Sequence, residues 1–463
     1  MLRKALLVVS GNALASILSL VRNLIIARMI PLEDFGIAAT FMILVSIVEM
    51  VSTFGLQQQI VQARDGDDPR LQAALQGFHV FRGALAALAI LALAGPIARF
   101  MNLPEVAWAY QLLALVPLLN SLQSFDIYRF TRQMRFGPML LTGVVPGAMA
   151  LVMIWPLTAW TDGYRVMLYS ILIQWFVALI MSHLVAERAY RLSFDSAMIR
   201  RSLAFGWPLM VNSLLLFGVF NGDRIIVGRE LGPAELAIFS MGMTLTLTPT
   251  LILARSMQNL FLPKISEIDR GAPGGEARFT RFAAVVIEAH MLIGLILTVG
   301  AVLFGPFLVD LLLGEKYAAL SGFIVWFAAM QGLRIFKGGP SVIAVARGRT
   351  ENAMIANIVR VALLPLAWWV AIRTGSFEGV ILVAIAGETV GCIVSFLVLR
   401  WRINLGLSSF VLPGLLSLSC IGLAISMRGH DGIGGPIWIA ILCLASFAAM
   451  RQLPSYVKGL FRS

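Results

Sequence analysis

The chain has 463 residues, of which 59% are hydrophobic and only 13% charged, and its mean hydropathy is +0.87. A soluble protein of this length carries roughly twice that share of charge, so composition excludes a soluble globular fold. The net charge of +12 needs an explanation other than nucleic acid, and its distribution supplies one.

Apolar runs of about 20 residues recur along the whole chain, each long enough to cross roughly 30 Å of hydrocarbon as a helix. About fourteen spans are predicted, at 5–29, 37–61, 74–97, 106–125, 139–158, 164–186, 203–228, 234–262, 282–304, 317–344, 353–372, 378–399, 408–427 and 435–450. The first follows Arg3 and Lys4 as a signal peptide would. It is nevertheless too long, lacks a small-residue cleavage site and contains Arg22 and Arg28, so it is kept as a mature helix. The expected fold is therefore all-α and polytopic, with no soluble domain left over.

With the spans alternating in direction, about 22 of the 36 Lys and Arg fall on the side of the N-terminus and about 7 on the other. The positive-inside rule then places both termini in the cytoplasm. The richest loops are "YRFTRQMRFG" (128–137), "ERAYRLSFDSAMIRR" (187–201) and 263–281. Such loops orient helices and meet anionic lipid, which accounts for the net charge. Cys392, Cys420 and Cys443 lie inside apolar runs without metal-ligand spacing, and His79, His183, His290 and His430 are scattered. Neither a metal nor a cofactor is expected.

An internal repeat is visible when "RNLIIARMIPLEDFGIA" (22–38) is set over "DRIIVGRELGPAELAIF" (223–239), an offset of 201. Each copy ends one helix, makes a short acidic turn and begins the next. At an offset of 200, Asn12 falls on Asn212. The reading is two six-helix lobes, 1–200 and 201–402, followed by a terminal helical pair, 403–463. Both copies start from the same side, a parallel repeat of the kind common in transporters, whose substrate site lies between lobes.

The helices matched by the repeat carry polar stripes at helical spacing: Asn12, Ser16, Ser19 and Asn23 beside Arg22; Ser46, Glu49, Thr53 and Gln57; Thr244, Thr248, Arg255 and Asn259. On the seventh helix Asn212 and Ser213 precede Asp223 and Arg224 by eleven residues. Polar faces cannot look at lipid, so these helices are expected to line a shared, partly hydrated cavity. Ser, Thr and Asn taken singly also serve helix packing. Arginine is different, because its charge is never lost to deprotonation. Arg224, about a turn from the outer end, has the further options of snorkelling or pairing with its neighbour. Other charges fall inside spans: Arg82 near Gln76 and His79, Arg334 with Lys337, Arg360, and the acids Glu288 and Glu388. Arg22, Arg255, Arg224, Arg82, Arg334 and Lys337 are the candidate substrate-binding cations. Asn12, Ser19, Asn23, Thr53, Asn212, Thr248 and Asn259 are the cavity polar residues, and Glu49, Asp223, Glu288 and Glu388 the candidate coupling or gating acids. The surplus of cations suits an anionic substrate, and guanidinium matches phosphate oxygens as a fork.

"DRIIVGRELGPAELAIFSMG" (223–242) resembles the seventh-to-eighth helix junction of bacterial polysaccharide exporters, the lipid-linked oligosaccharide (Wzx-type) flippases of the multidrug/oligosaccharidyl-lipid/polysaccharide superfamily. "LIIARMIPLEDFG" (24–36), "LAFGWPLMVNS" (203–213) and "LPKIS" (262–266) resemble the corresponding earlier and later junctions, so the resemblance runs to about residue 400. Where the family often has Gly then Tyr after the turn, this chain has Ala237, Ile238 and Phe239. The resemblance implies a transporter, not an enzyme, of the bacterial inner membrane. It would move polyprenyl pyrophosphate-linked oligosaccharide outward for O-antigen, capsule or exopolysaccharide synthesis by alternating access. Arginines would hold the pyrophosphate, a buried acid would pair with them or couple to protons or sodium, and polysaccharide polymerase machinery would be a partner. Two other readings are a multidrug exporter, whose cationic substrates would want an acidic cavity, and a membrane polymerase or ligase, which would want a large outer loop. The outer loops here are short and hold no nucleophile-base pair.

Overall fold

The computed structural model describes residues 2–52, 55–403, 406, 408–426 and 434–460. Among the described residues all regular structure is helical, and the chain forms two compact units, Met1–Ala237 and Ile238–Ser463. The first unit holds α1 (Leu2–Met29), α2 (Leu32–Ser52), α3 (Leu56–Gln62), α4 (Pro69–Phe100), α5 (Ala107–Leu113), α6 (Leu115–Ser121), α7 (Asp126–Arg132), α8 (Gly137–Val152), α9 (Ile154–Trp160), α10 (Arg165–Leu184), α11 (Ser196–Glu230) and the start of α12 (Pro233–Ser266). The second holds the rest of α12, then α13 (Gly275–Leu313), α14 (Ala318–Ser321), α15 (Ile324–Ala346), α16 (Glu351–Ala362), α17 (Leu364–Thr374), α18 (Phe377–Ile403), α19 (Ser408–Ser426), α20 (Gly434–Ala449) and α21 (Gln452–Leu460).

Among the described residues eight helices, counting α8 with α9 and α16 with α17, are long and apolar enough to cross a membrane, and nine if the bent pair Glu315–Ser321 and Ile324–Ala346 is one span. The chain is a multi-pass membrane protein. Several expected spans are broken, and local chemistry says where. The span expected at 37–61 stops at Ser52, and α3 begins after Gly55, whose φ of 69° no right-handed helix accommodates. A proline ring clashes with the carbonyl four residues back. Those residues for Pro117 and Pro156 are Leu113 and Val152, the last of α5 and α8.

The repeat reappears in the helix boundaries. The α1–α2 break at Met29 and Leu32 and the α11–α12 break at Glu230 and Pro233 are displaced by the same 201 residues at both edges. The two junctions meet within the first unit. A Cβ on Gly36 would stand 1.8 Å from the Pro233 carbonyl oxygen and 2.8 Å from its Cα, so the first turn of α2 lies backbone to backbone against the start of α12. The end of α11 is also fastened to the end of α4. The Arg229 guanidinium sits 4.4 Å over the Phe100 ring and donates to the Phe100 carbonyl, while Asn102 Nδ2 donates back to the Arg229 carbonyl at 2.9 Å.

At its opposite end the first unit is closed by residues 185–195, which run without regular structure from α10 to α11. The buried Asp126 accepts from the amides of Glu187 and Arg188 at 2.8 and 3.1 Å and pairs with Arg129. Burial opposes ionisation of Asp126, yet Arg129 and those amides outweigh it and hold its carboxyl below the usual range. The pin therefore contributes stability above the ordinary carboxylate pKa, which is lost as pH falls through the depressed one.

In the second unit α13 and α15 cross at glycines, since a Cβ on Gly332 would lie 2.9 Å from the Gly294 carbonyl oxygen. Small residues let membrane helices approach this closely. The C-terminal helix α21, beyond the last expected span, is held by the buried Glu288 of α13, which accepts from the amides of Arg451, Gln452 and Leu453 at 3.2, 3.0 and 2.7 Å.

Gly36 gives the fold its most exposed test. Gly36→Ala is expected to lower the thermal midpoint of the purified protein, since overpacking costs about 1–3 kcal/mol. Gly143→Ala on α8, where a Cβ meets nothing within 4 Å, is expected to leave it unchanged or raise it by up to about 1 kcal/mol of helix propensity. Equal midpoints for the two variants would refute the backbone contact.

Candidate functional site

The first unit holds Arg22 and Arg82 with neutral groups. Arg22, 7% exposed near the end of α1, donates through Nη1 to the Gln174 amide oxygen of α10 and, at 3.4 Å through both Nε and Nη2, to Asn23 Oδ1. Glu49 on α2 is exposed and acts on Arg22 through space. Arg82 on α4, half-buried, donates to His79 Nδ1 at 2.8 Å, which requires a neutral imidazole with its proton on the other nitrogen. On α11 Asp223 is buried and Arg224 half-buried, one turn from Asn221, which donates to Ser46 Oγ of α2 at 3.1 Å. Ser19 and Asn212 are half-buried. The Asn12 side chain and Thr53 lie outside the described residues.

The second unit treats its cations differently. Glu388 on α18, 0% exposed, receives Arg334 of α15 at 2.7 Å on Oε1, Lys337 at 3.0 Å on Oε2, and Arg360 of α16 at 3.6 Å. Arg334 also donates to Gln331 Oε1 at 3.0 Å, and Lys337 to Asn357 Oδ1 at 3.2 Å. Glycines one turn apart make the room: a Cβ on Gly387 would stand 2.8 Å from Arg360 Cδ, and one on Gly391 3.1 Å from the Ala356 carbonyl oxygen. Three cations share one carboxylate, leaving a surplus of two positive charges. Isolated charges at this depth would be prohibitive, so the pairing and the added amides are what make the cluster tolerable.

Arg255 fits neither pattern. It is exposed on α12, and among the described residues it has no ion-pair or hydrogen-bond partner. A guanidinium facing hydrocarbon there would cost at least about 2.5 kcal/mol. Its neighbours Gln258 and Asn259 are exposed too. The hydroxyls of Thr244 and Thr248 donate to the carbonyls four residues back, at 2.7 and 2.9 Å, which is the packing role of threonine in membrane helices.

The six expected cations are therefore not one set. Arg22, Arg82 and Arg224 belong to the first unit, Arg334 and Lys337 to a closed ion cluster, and Arg255 to an open face. Of the four acids, Glu288 caps α21 and Glu388 bridges the three cations of the cluster. Gln174, a lone amide in the apolar run "LYSILIQWFVALI", and the glycines flanking Glu388 in "GETVG" are sequence signals of these contacts that polar spacing along a helix does not capture. Arg360 was seen as a buried charge but its partner was not.

A family model described as polysaccharide biosynthesis protein matches residues 25–321. The lipopolysaccharide biosynthesis protein WzxC of Escherichia coli (strain K12) is 21% identical over 402 residues, covering 82% of this chain and 77% of that protein. Among solved structures, the lipid II flippase MurJ in an inward closed conformation superposes with a TM-score of 0.70 at 14% identity, covering 99% of this chain and 100% of that one. A multidrug resistance MATE family transporter in an inward-facing conformation superposes with a TM-score of 0.66 at 18% identity, covering 84% and 94%. At these identities the two structures establish the transporter fold.

Removing the carboxylate tests the ion cluster. Glu388→Gln strands Arg334, Lys337 and Arg360 together, and breaking a buried pair in this way costs about 3–5 kcal/mol. A large fall in the membrane abundance of a fluorescent fusion is expected, with partial recovery when Lys337→Met is added. Wild-type abundance in Glu388→Gln alone would show that the cluster does not hold α15, α16 and α18 together.

Proposed function

The chain belongs to the polysaccharide biosynthesis protein family, and from that premise we propose that it is a flippase. Its substrate is a polyprenyl pyrophosphate-linked oligosaccharide, moved from the cytoplasmic to the outer leaflet of the bacterial inner membrane for surface polysaccharide assembly. The observation that carries the reading is the state of Arg22, a buried guanidinium held by the amides of Asn23 and Gln174. Neutral holders fix its orientation without cancelling its charge. That is the condition for electrostatic binding of an anion in a low-dielectric site. Arg255, exposed on α12, is the second cation we assign to the substrate, and the polar faces admit sugar while the lipid tail stays in the bilayer. We take the moving parts to be the repeat lobes 1–200 and 201–402, with 403–463 appended.

The MATE-like fold also suits drug export. Cationic drugs favour acidic cavities, however, and the buried charges here are mainly positive, which favours the pyrophosphate substrate. If the cycle is driven by a proton or sodium gradient, Glu49 is the candidate, because it alone of the four acids is exposed.

Arg22→Ala or Arg255→Ala is expected to abolish surface polysaccharide export while membrane abundance stays normal, since a lost charge-assisted bond costs about 1.5–3 kcal/mol. Lysine at either position should restore part of the export, keeping the charge without the fork. Normal export in both alanine variants would sink the assignment.

The direction of transport rests on both termini being cytoplasmic. In a background without Cys392, Cys420 and Cys443, a membrane-impermeant thiol reagent added outside should label a cysteine at position 162 but not one at 133 or 195. The opposite labelling would reverse the proposed direction.

A further inference from the structure

Residues 188–191 arch over the start of α4 and leave a cavity of about 230 Å³, floored by the α4 face that runs from Pro69 to Gln76. The arch is pinned on both sides, through Arg188 to Gln72 and through the Ser193 amide to the Ala73 carbonyl, each at 3.0 Å. Tyr190 OH is bonded to Gln76 Nε2 at 3.3 Å. The enclosure is a built one, belongs wholly to the first unit, and is used by nothing described above.

Charge around it is unbalanced in one direction. Asp65 pairs with Arg201, Asp67 with Arg132, and Glu187 with Arg129 and Arg135. Asp126 is taken by Arg129 and two amides, while Asp68 and Asp195 cap α4 and α11. Every carboxylate of this end is thus committed away from the cavity. Its own two arginines are not matched. Arg188 donates to neutral oxygens, Gln72 Oε1 at 3.0 Å and the Asp67 carbonyl at 2.9 Å. Arg191 is exposed, and among the described residues it has no ion-pair or hydrogen-bond partner.

Position completes the case. The 32 residues of α4 extend about 48 Å at the helical rise, well beyond about 30 Å of hydrocarbon. Asp68, Arg70, Gln72 and Gln76 crowd its start, so we place its first two turns at the level of lipid headgroups. The cavity is smaller than the roughly 300–1,000 Å³ usual for drug-sized ligands, so it suits a phosphate group and not an oligosaccharide.

We propose that this cavity binds the phosphate of an anionic headgroup, gripped by Arg188 and Arg191. Two sources share that chemistry, a bilayer phospholipid and a pyrophosphate. An occupant of either kind ties the 185–195 segment to α4.

The test uses the full-length protein in a zwitterionic detergent. Thermal unfolding is followed during titration with dioctanoyl phosphatidylglycerol, dioctanoyl phosphatidylcholine or inorganic pyrophosphate, for wild type, Arg191→Gln and the charge control Arg200→Gln. Arg200 is exposed and does not line the cavity. Phosphatidylglycerol is expected to raise the midpoint of wild type and Arg200→Gln where phosphatidylcholine does not. Its apparent affinity should fall about tenfold in Arg191→Gln, the low end for a charged hydrogen bond. A rise with pyrophosphate alone, lost in the same variant, supports the phosphate site and makes pyrophosphate the source. No rise with either anion, or equal weakening in Arg191→Gln and Arg200→Gln, overturns the site.

Discussion

A charge within hydrocarbon must be paired, hydrated or abandoned, and this chain is organised by how each of its membrane-embedded charges meets that demand. Glu388 collects three cations between α15, α16 and α18, so the interior of the second unit is fastened by ionic contacts as well as apolar packing. Glu288 meets the demand with backbone amides and thereby fixes the C-terminal helix. Arg22 is met by neutral amides, and Arg255 stands exposed on α12. Neither has a carboxylate partner among the described residues, whereas Glu288 and Glu388 are both engaged.

That division separates two kinds of surroundings within a single class of residue. Arg334 and Arg22 look alike in a hydropathy profile, each an arginine in an apolar run. Their surroundings give them opposite uses. A guanidinium already bridged to a carboxylate gains little from a second anion, whereas one held by amides retains its full field. The same logic applies at the end of the first unit, where salt bridges and helix caps engage the nearby acids, Arg188 donates to neutral oxygens and Arg191 stands exposed.

Close backbone approach is the second organising device. Gly36 against Pro233 joins the two repeated junctions, and Gly294 against Gly332 joins α13 to α15. Apolar side chains have no preference for each other over lipid tails, so contacts of this kind carry much of the packing between membrane helices. They also explain why α11 packs with the first unit. Its last third is fastened to α2 and α4 through Asn221, Arg229 and the α12 start that follows.

The sequence by itself determined that the chain is helical and membrane-embedded, because hydrocarbon admits no unsatisfied backbone and the length of an apolar run is a local property. It also determined the repeated junction, whose helix boundaries recur 201 residues apart, since turn chemistry at Pro31 and at Gly232–Pro233 is local too. The breaks at Ser52, Ala114 and Met153 were written in Gly55, Pro117 and Pro156, although hydropathy averaged over them. Partnership was decided by tertiary structure alone. Gln174 lies 152 residues from Arg22, and Arg334 lies 54 from Glu388. No periodicity along one helix reveals which distant group a buried charge will find, because that partner lies on another helix far away in the chain.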